Sequence, residues 1–292
     1  MGSPLKVLVV GSGRLGGALA LALTRNPATR CVRLVSHSAP DDEVAFFRDL
    51  NVSVVAWADL ERRDVESCDL IVLAVADTSL QQGDLDPGLF NEVGRPVVHT
   101  SGALSSEVLE RMGFSTPIGS WHPLQSFADP RTGADRFLGA FAALEGSPDA
   151  VSMARLLSDA LSMQPVVVST EGKSAYHAAA VMSSNLLVAL TDAAVAAGEL
   201  AGLTRERALQ MLLPLQRGTL ANLGSVGVDD ALTGPVARGD TGTVAAHLEV
   251  LTPELAEIYS VLSRRAIAVA QRRGLLEEVA DRLAELLDKP KT

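Results

Sequence analysis

A mainly parallel, doubly wound α/β sheet followed by an all-helical C-terminal domain is the fold class this sequence predicts, on three observations. The chain opens on the apolar run Leu5–Val10, which feeds Gly11-Ser12-Gly13-Arg14-Leu15-Gly16 and then the apolar stretch Gly17–Leu23. Short, near-continuous apolar runs then alternate with helical patterns, as in parallel strands covered on both faces. From Ser169 onward the strand-like runs stop and helical periodicity takes over. The expected boundary divides residues 1–168 from 169–292.

Taken in order, the strand-like runs after the first are Cys31–Val35, Val52–Val55, Asp69–Val75, Pro96–His99, Pro117–Ser120, Ala140–Leu144 and Pro165–Val168. The helical patterns of the second half cover roughly 171–201, 204–213, 216–223, 241–251, 253–273 and 275–287. Thr204 and Thr252 read as helix caps, with Pro253 at a first helical position. The tail from Asp288 to Thr292 reads as disordered.

A strand that runs through a glycine turn into a helix is the Rossmann-type fingerprint. The helix starts with unpaired N–H groups facing whatever lies over the turn, and a pyrophosphate suits that place. Gly11, Ser12, Gly13, Arg14, Leu15 and Gly16 are therefore the candidate cofactor-binding turn. The plain alternative is a glycine turn in a nucleotide-free Rossmann-like domain, or one that binds a different phosphate.

Composition narrows the class further. With 292 residues, 47% of them hydrophobic and only 4% aromatic, the chain can build a large aliphatic core and more than one domain. A net charge of −10 without a basic run argues against nucleic-acid binding. Cys31 and Cys68 read as free thiols of a reducing compartment, so a cytoplasmic address is expected. The apolar start is a short strand rather than a signal peptide, and charge interrupts the later apolar stretches, so no membrane span is expected. Among His, Cys, Asp and Glu there is no metal-ligand spacing, hence no expected metal.

The end of the second strand bears on the cofactor. An NAD-binding fold usually places Asp or Glu there for the ribose hydroxyls. Here the matching residues are Ser36, His37 and Ser38, with no acid before Asp41. Donors without a carboxylate favour NADP over NAD, with NAD the less favoured partner. A loop cap is the competing role for Ser36 and His37.

Other strand ends are small and polar: Ala76 and Asp77 after the fourth run, Thr100 and Ser101 after the fifth, His122 at the end of the sixth. Ala76, Asp77 and Thr100 join the cofactor set, and Ser101 and His122 the substrate set. A histidine at a strand end, His99 or His122, has an ordinary hydrogen-bonding role as its alternative.

The residues Asp69–Asp77, His99-Thr100-Ser101-Gly102 and Trp121-His122-Pro123-Leu124, with Tyr176–Ala180, Asn185 and Leu232–Asp240, resemble one family. It consists of NADP-dependent reductases that join a Rossmann half to a helical domain of unknown function. It is kin to ketopantoate reductase, pyrroline-5-carboxylate reductase and prephenate dehydrogenase. The resemblance runs from Leu5 to about Leu251 and fixes fold and cofactor better than reaction.

Lys173, His177 and Asn185 are the catalytic candidates. Lys173 and His177 are one turn apart, and on a continuous helix Asn185 would fall about 80° from His177 around the axis. Ketopantoate reductase carries a Lys followed by Asn four and eight positions later. Aligned on Asn185, that Lys falls on His177 and the first Asn on Val181, a departure from the pattern. The resemblance implies hydride transfer from NADPH to a small carboxylate-bearing carbonyl compound such as the 2-oxo acid ketopantoate. His177 or Lys173 would protonate the alkoxide while Asn185 holds its oxygen. Arg238 is the candidate fork for the carboxylate, unless it pairs with Asp240 or Asp230. Thr219 and Asn222 are further candidates for lining the substrate site. An imine reductase or dehydrogenase of the pyrroline-carboxylate or prephenate type is the second reading, and a non-enzymatic dinucleotide sensor the third. The all-round apolar stretch Val181–Ala197 predicts a homodimer through the helical domain.

Overall fold

The computed structural model describes residues 3–288. Lys289–Thr292, most of the expected disordered tail, lie outside the described residues. Two compact units result, Met1–Met182 and Ser183–Thr292. Sequence alone placed the division at 168/169, so residues 169–182 fall with the sheet.

The first unit holds one sheet of eight strands: β1 (Leu5–Val10), β2 (Thr29–Ser36), β3 (Val54–Ala56), β4 (Leu70–Leu73), β5 (Val97–His99), β6 (Ile118–Pro123), β7 (Phe141–Gly146) and β8 (Gln164–Val167). Their spatial order is β3-β2-β1-β4-β5-β6-β7-β8. Every neighbouring pair is parallel except β6 and β7. Its helices are α1 (Arg14–Arg25), α2 (Asp41–Asp49), α3 (Arg62–Glu66), α4 (Asp77–Gln82), α5 (Gly88–Val93), α6 (Glu107–Arg111), α7 (Pro130–Gly133), α8 (Pro148–Ala160) and α9 (Lys173–Ser183).

Strand alternation distributes the core. Val7 and Val9 of β1 pack with α1 and α8 on one face, while Leu8 and Val10 pack with Leu80, Phe90 and Leu109 on the other. All four are essentially inaccessible, the reason these strands read as unbroken apolar runs. Trp121 points to the α8 face, where its indole N–H donates to Ser158 Oγ at 2.9 Å. Its neighbours Ser120 and His122 therefore point to the opposite face.

The second unit comprises α10 (Asn185–Leu200), α11 (Arg205–Ala231), α12 (Thr241–Val250), α13 (Pro253–Arg272) and α14 (Glu277–Leu287). Thr204 and Thr252 cap α11 and α13 as expected, accepting from the N–H groups of Arg207 and Leu255. Two expectations need correction. The helices expected at 204–213 and 216–223 are one, because α11 runs through Pro214 and departs from helical geometry only at Gly227. A proline fixes a helix-compatible φ, and on this exposed helix water can take the carbonyl it leaves unpaired. The single helix expected over 171–201 is two, broken at Ser184 with φ −121° and ψ −68°.

Val236, Val244, Ile267, Ala280, Leu283 and Leu287 form the buried core of this unit. By contrast α10 buries only Val195 and α11 only Ala208. By length and composition Lys173–Leu200 is long and apolar enough to cross a membrane, with a hydropathy of 1.5. Its first part, α9, is tied to the sheet at Lys173, which is buried in an ion pair with Glu145. The remaining 16 residues of α10 span about 24 Å, short of the roughly 30 Å hydrocarbon core.

Candidate active site

The glycine turn after β1 is built for close approach. Gly11 lies at φ +106°, and a Cβ there or at Gly16 would overlap backbone oxygen, that of Ala74 and of Gly11 respectively. A Cβ at Gly13 would meet nothing within 4 Å, so space lies open over the turn. Helix α1 begins beside it with no side-chain cap and no acid in its first turn. Unpaired N–H groups facing open space fit a pyrophosphate, with Gly11, Ser12, Gly13, Arg14, Leu15 and Gly16 as its cradle.

A second cluster lies over the carboxyl ends of β5 and β6, at the same edge of the sheet. Register explains its membership: Ser120 pairs with His99 on one side and with Glu145 on the other. Lys173, the first residue of α9, reaches down to this row. Its ammonium donates to Ser120 Oγ and lies 3.6 Å from Glu145 Oε2. Glu145 also accepts from Ser106 N–H at 2.8 Å, Ser106 Oγ at 2.7 Å and Thr170 Oγ1 at 3.2 Å. Both Lys173 and Glu145 are buried, so their charges depend on each other and on these hydrogen bonds. Burial pulls the Lys173 ammonium down to about 8, while Glu145 and Asp77 pull it back up.

One turn further along α9, Tyr176 and His177 meet His122. The Tyr176 hydroxyl is 2.8 Å from His122 Nδ1, and the two imidazoles stand edge to face with centroids 6.0 Å apart. Gly102 separates them: a Cβ there would lie 2.5 Å from His177 Nδ1 and 2.8 Å from His122 Nε2. His177 Nδ1 is buried and has no hydrogen-bond partner among the described residues. Burial first, then His177 and Lys173, push His122 down to about 4, so it is neutral at pH 7. Burial likewise lowers His99 to about 3. His99 accepts from Ser101 N–H through Nδ1 and faces Ser105 O through Nε2, a structural role at the strand end.

Not every expected residue joins the cluster. Ser101 is buried and its hydroxyl accepts from the N–H groups of Ala103 and Leu104, so the turn uses it. Asn185 opens α10, in the second unit. The phase argument linking it to His177 fails because the helix breaks at Ser184. Thr219 and Asn222 are exposed on α11, where the Thr219 hydroxyl bonds back to Leu215 O. Arg238 lines a cavity of about 630 Å³ in the second unit, together with Thr233, Gly234 and Arg273. Of its expected competitors, Asp240 caps α12 through Thr243 and also feels the Arg238 charge, while Asp230 lies 3.4 Å from Arg273.

At the ribose end, Ser36 Oγ donates to Glu43 Oε2 at 3.0 Å, while His37 and Ser38 are exposed. Ala76 precedes α4, Asp77 begins it, and Thr100 N–H bonds Leu73 O between β4 and β5. Glu145, Ser120 and Glu43 are additions that sequence reading missed. A single acid closing the apolar run Phe141–Leu144 was the available signal for Glu145. Among the described residues no group of three His, Cys, Asp or Glu is placed to hold a metal ion.

The described fold has relatives of known structure. A candidate NADP oxidoreductase from Bacteroides fragilis is 22% identical, with a TM-score of 0.68 over 91% of this chain and 98% of that one. A protein from Thermotoga maritima is 23% identical, with a TM-score of 0.66 over 94% and 98%. Pyrroline carboxylate reductase from Plasmodium falciparum, a structure with NADP bound, is 12% identical, with a TM-score of 0.58 over 98% and 99%. No curated protein matches the sequence. Residues 2–119 match the model of a Rossmann-like domain, and residues 140–266 that of the domain of unknown function DUF2520. The chain therefore carries a Rossmann-like N-terminal domain followed by a DUF2520 domain.

Proposed function

We propose that the protein is an NAD(P)H-dependent oxidoreductase that reduces a small carboxylate-bearing carbonyl compound, with His177 as proton donor. One observation carries this reading: His177 and His122 meet across Gly102 at the strand edge that also carries the glycine turn, with His177 Nδ1 buried and unpartnered. When bound, a reduced nicotinamide supplies the hydride. His177 supplies the proton to the developing alkoxide oxygen, a task suited to an imidazole near neutral pH. Neutral His122, hydrogen-bonded to Tyr176, fixes the wall beside it. Lys173 is engaged with Ser120 and Glu145, which makes it a positioning residue for α9 rather than the donor. Within the 2-oxo acids, ketopantoate is the substrate of this reading.

A second reading, reduction of a cyclic imine, draws support from the shared fold with pyrroline carboxylate reductase. We further propose a homodimer, supported by Met182, Leu186, Val188 and Leu215, all more than half exposed. A cytoplasmic address is part of the same reading, supported by free Cys31 and Cys68, whose thiols burial pushes up to about 12. Oxidation of NADH and NADPH, followed at 340 nm against 2-oxo acids and cyclic imines, tests the activity. Turnover of one class identifies the substrate. Tight dinucleotide binding without turnover of any would favour the sensor.

A further inference from the structure

The same fold that brings α9 to the sheet brings an acid to the ribose end of the dinucleotide turn. The end of β2 carries Ser36 where a nucleotide-binding carboxylate would usually stand, and the next acid in sequence is Asp41. The chain doubles back at Ala39, which lies at φ +44°, and α2 then places Glu43 in its first turn. There Ser12 Oγ donates to Ser36 Oγ at 3.2 Å, and Ser36 Oγ donates to Glu43 Oε2 at 3.0 Å. This relay starts inside the glycine turn itself and ends on a carboxylate.

Two consequences follow from counting donors and acceptors. Ser36 has one hydroxyl proton and gives it to Glu43, so it has none left for a phosphate oxygen. Glu43 Oε1 is buried and has no partner among the described residues, an acceptor that lacks a donor. Ribose hydroxyls are donors of the kind this carboxylate lacks. A 2′-phosphate has only acceptors at neutral pH and would bring like charge to a site where α2 also opens with Asp41 and Asp42. Arg14, exposed at the start of α1, is the one cation of the glycine turn itself.

We propose that Glu43 is the ribose-binding acid of this chain and makes the site select NAD(H) over its 2′-phosphorylated form. This rests on the reading that the glycine turn holds a dinucleotide. It departs from the NADP named for relatives of the same fold, whose identities of 22% and 12% leave the ribose end to this chain's own residues.

Isothermal titration of the full-length protein with NADH and with NADPH tests the proposal without any substrate. NADH should bind at least tenfold tighter, about 1.4 kcal/mol. Glu43→Gln keeps the shape and removes the charge. It should narrow the ratio at least fivefold by weakening NADH, strengthening NADPH or both. Circular dichroism would confirm that the variant is folded, and Asp49→Asn, at the far end of α2, serves as the charge control that leaves the ratio unchanged. Equal or tighter binding of NADPH to the unaltered protein would overturn the proposal while leaving the oxidoreductase reading intact. A ratio that Glu43→Gln does not alter would also overturn it. Binding of neither dinucleotide would overturn both readings together.

Discussion

The two units use the same residue types to opposite ends. In the sheet unit, Val7, Leu8, Val9, Leu19, Leu21 and Ile71 lose essentially all contact with water. In the helical unit, equally apolar Leu186, Val188, Leu215 and Val228 stay more than half exposed, and only α12 to α14 close over a small core. At roughly 25 cal/mol per Å² of buried apolar area, the first pattern sustains a unit by itself. The second leaves apolar surface, on which the proposed homodimer rests. A sheet with helices on both faces has no apolar face left over, whereas a helix apolar all round needs neighbours on every side.

The largest effect should come from breaking the buried pair in the self-sufficient unit. Lys173→Met leaves Glu145 charged, buried and short of its cation, which costs about 3 kcal/mol and lowers the melting temperature by about 6–12 °C. Calorimetry would read this, and a shift below 2 °C would show that the pair does not hold α9 to the sheet.

On the exposed unit the corresponding change should act on assembly instead. If the proposed dimer forms through α10, Val188→Glu should convert it to monomer in light scattering at micromolar concentration. A native chain that is already monomeric under those conditions would remove the dimer.

A smaller effect separates the units by pH. His99 and His122 titrate near 3 and 4 in the folded chain, against 6.5 unfolded. Between pH 6.5 and about 4 the unfolded chain binds more protons, so stability is full above 6.5 and falls as the pH drops through that window. Lys173, lowered from 10.5 to about 8, makes its own contribution rise with pH between those values. Urea unfolding at pH 7 and pH 5 should show the acid loss, and His99→Gln should reduce it. An unchanged acid loss in that variant would mean that His99 does not carry it.

Much of the first unit was legible in the sequence because its signals are local. The glycine turn, eight apolar runs and the one-turn spacing of Lys173 and His177 need no knowledge of the fold. What was not legible depends on pairing across distance. Glu145 reaches Lys173 only because β7 runs antiparallel to β6 and sets Glu145 opposite Ser120. Glu43 reaches Ser36 only because the chain reverses at Ala39. In the second unit, the break at Ser184 cut the link between His177 and Asn185 that continuous helical phase would have given. Ser183 and Asn185 flank that break, and nothing in the apolar periodicity around them announces it. Pro214 misled in the other direction, since a proline on an exposed helix bends or interrupts bonding without ending it.

The proposed function places the histidine pair across Gly102 in a catalytic site. Single-turnover reduction of an accepted substrate, compared between the native chain and His177→Ala and paired with dinucleotide titration, tests it most directly. The rate should be about 10² to 10⁴ lower with dinucleotide affinity within about twofold of native, because the glycine turn is untouched. A rate within tenfold of native would contradict it.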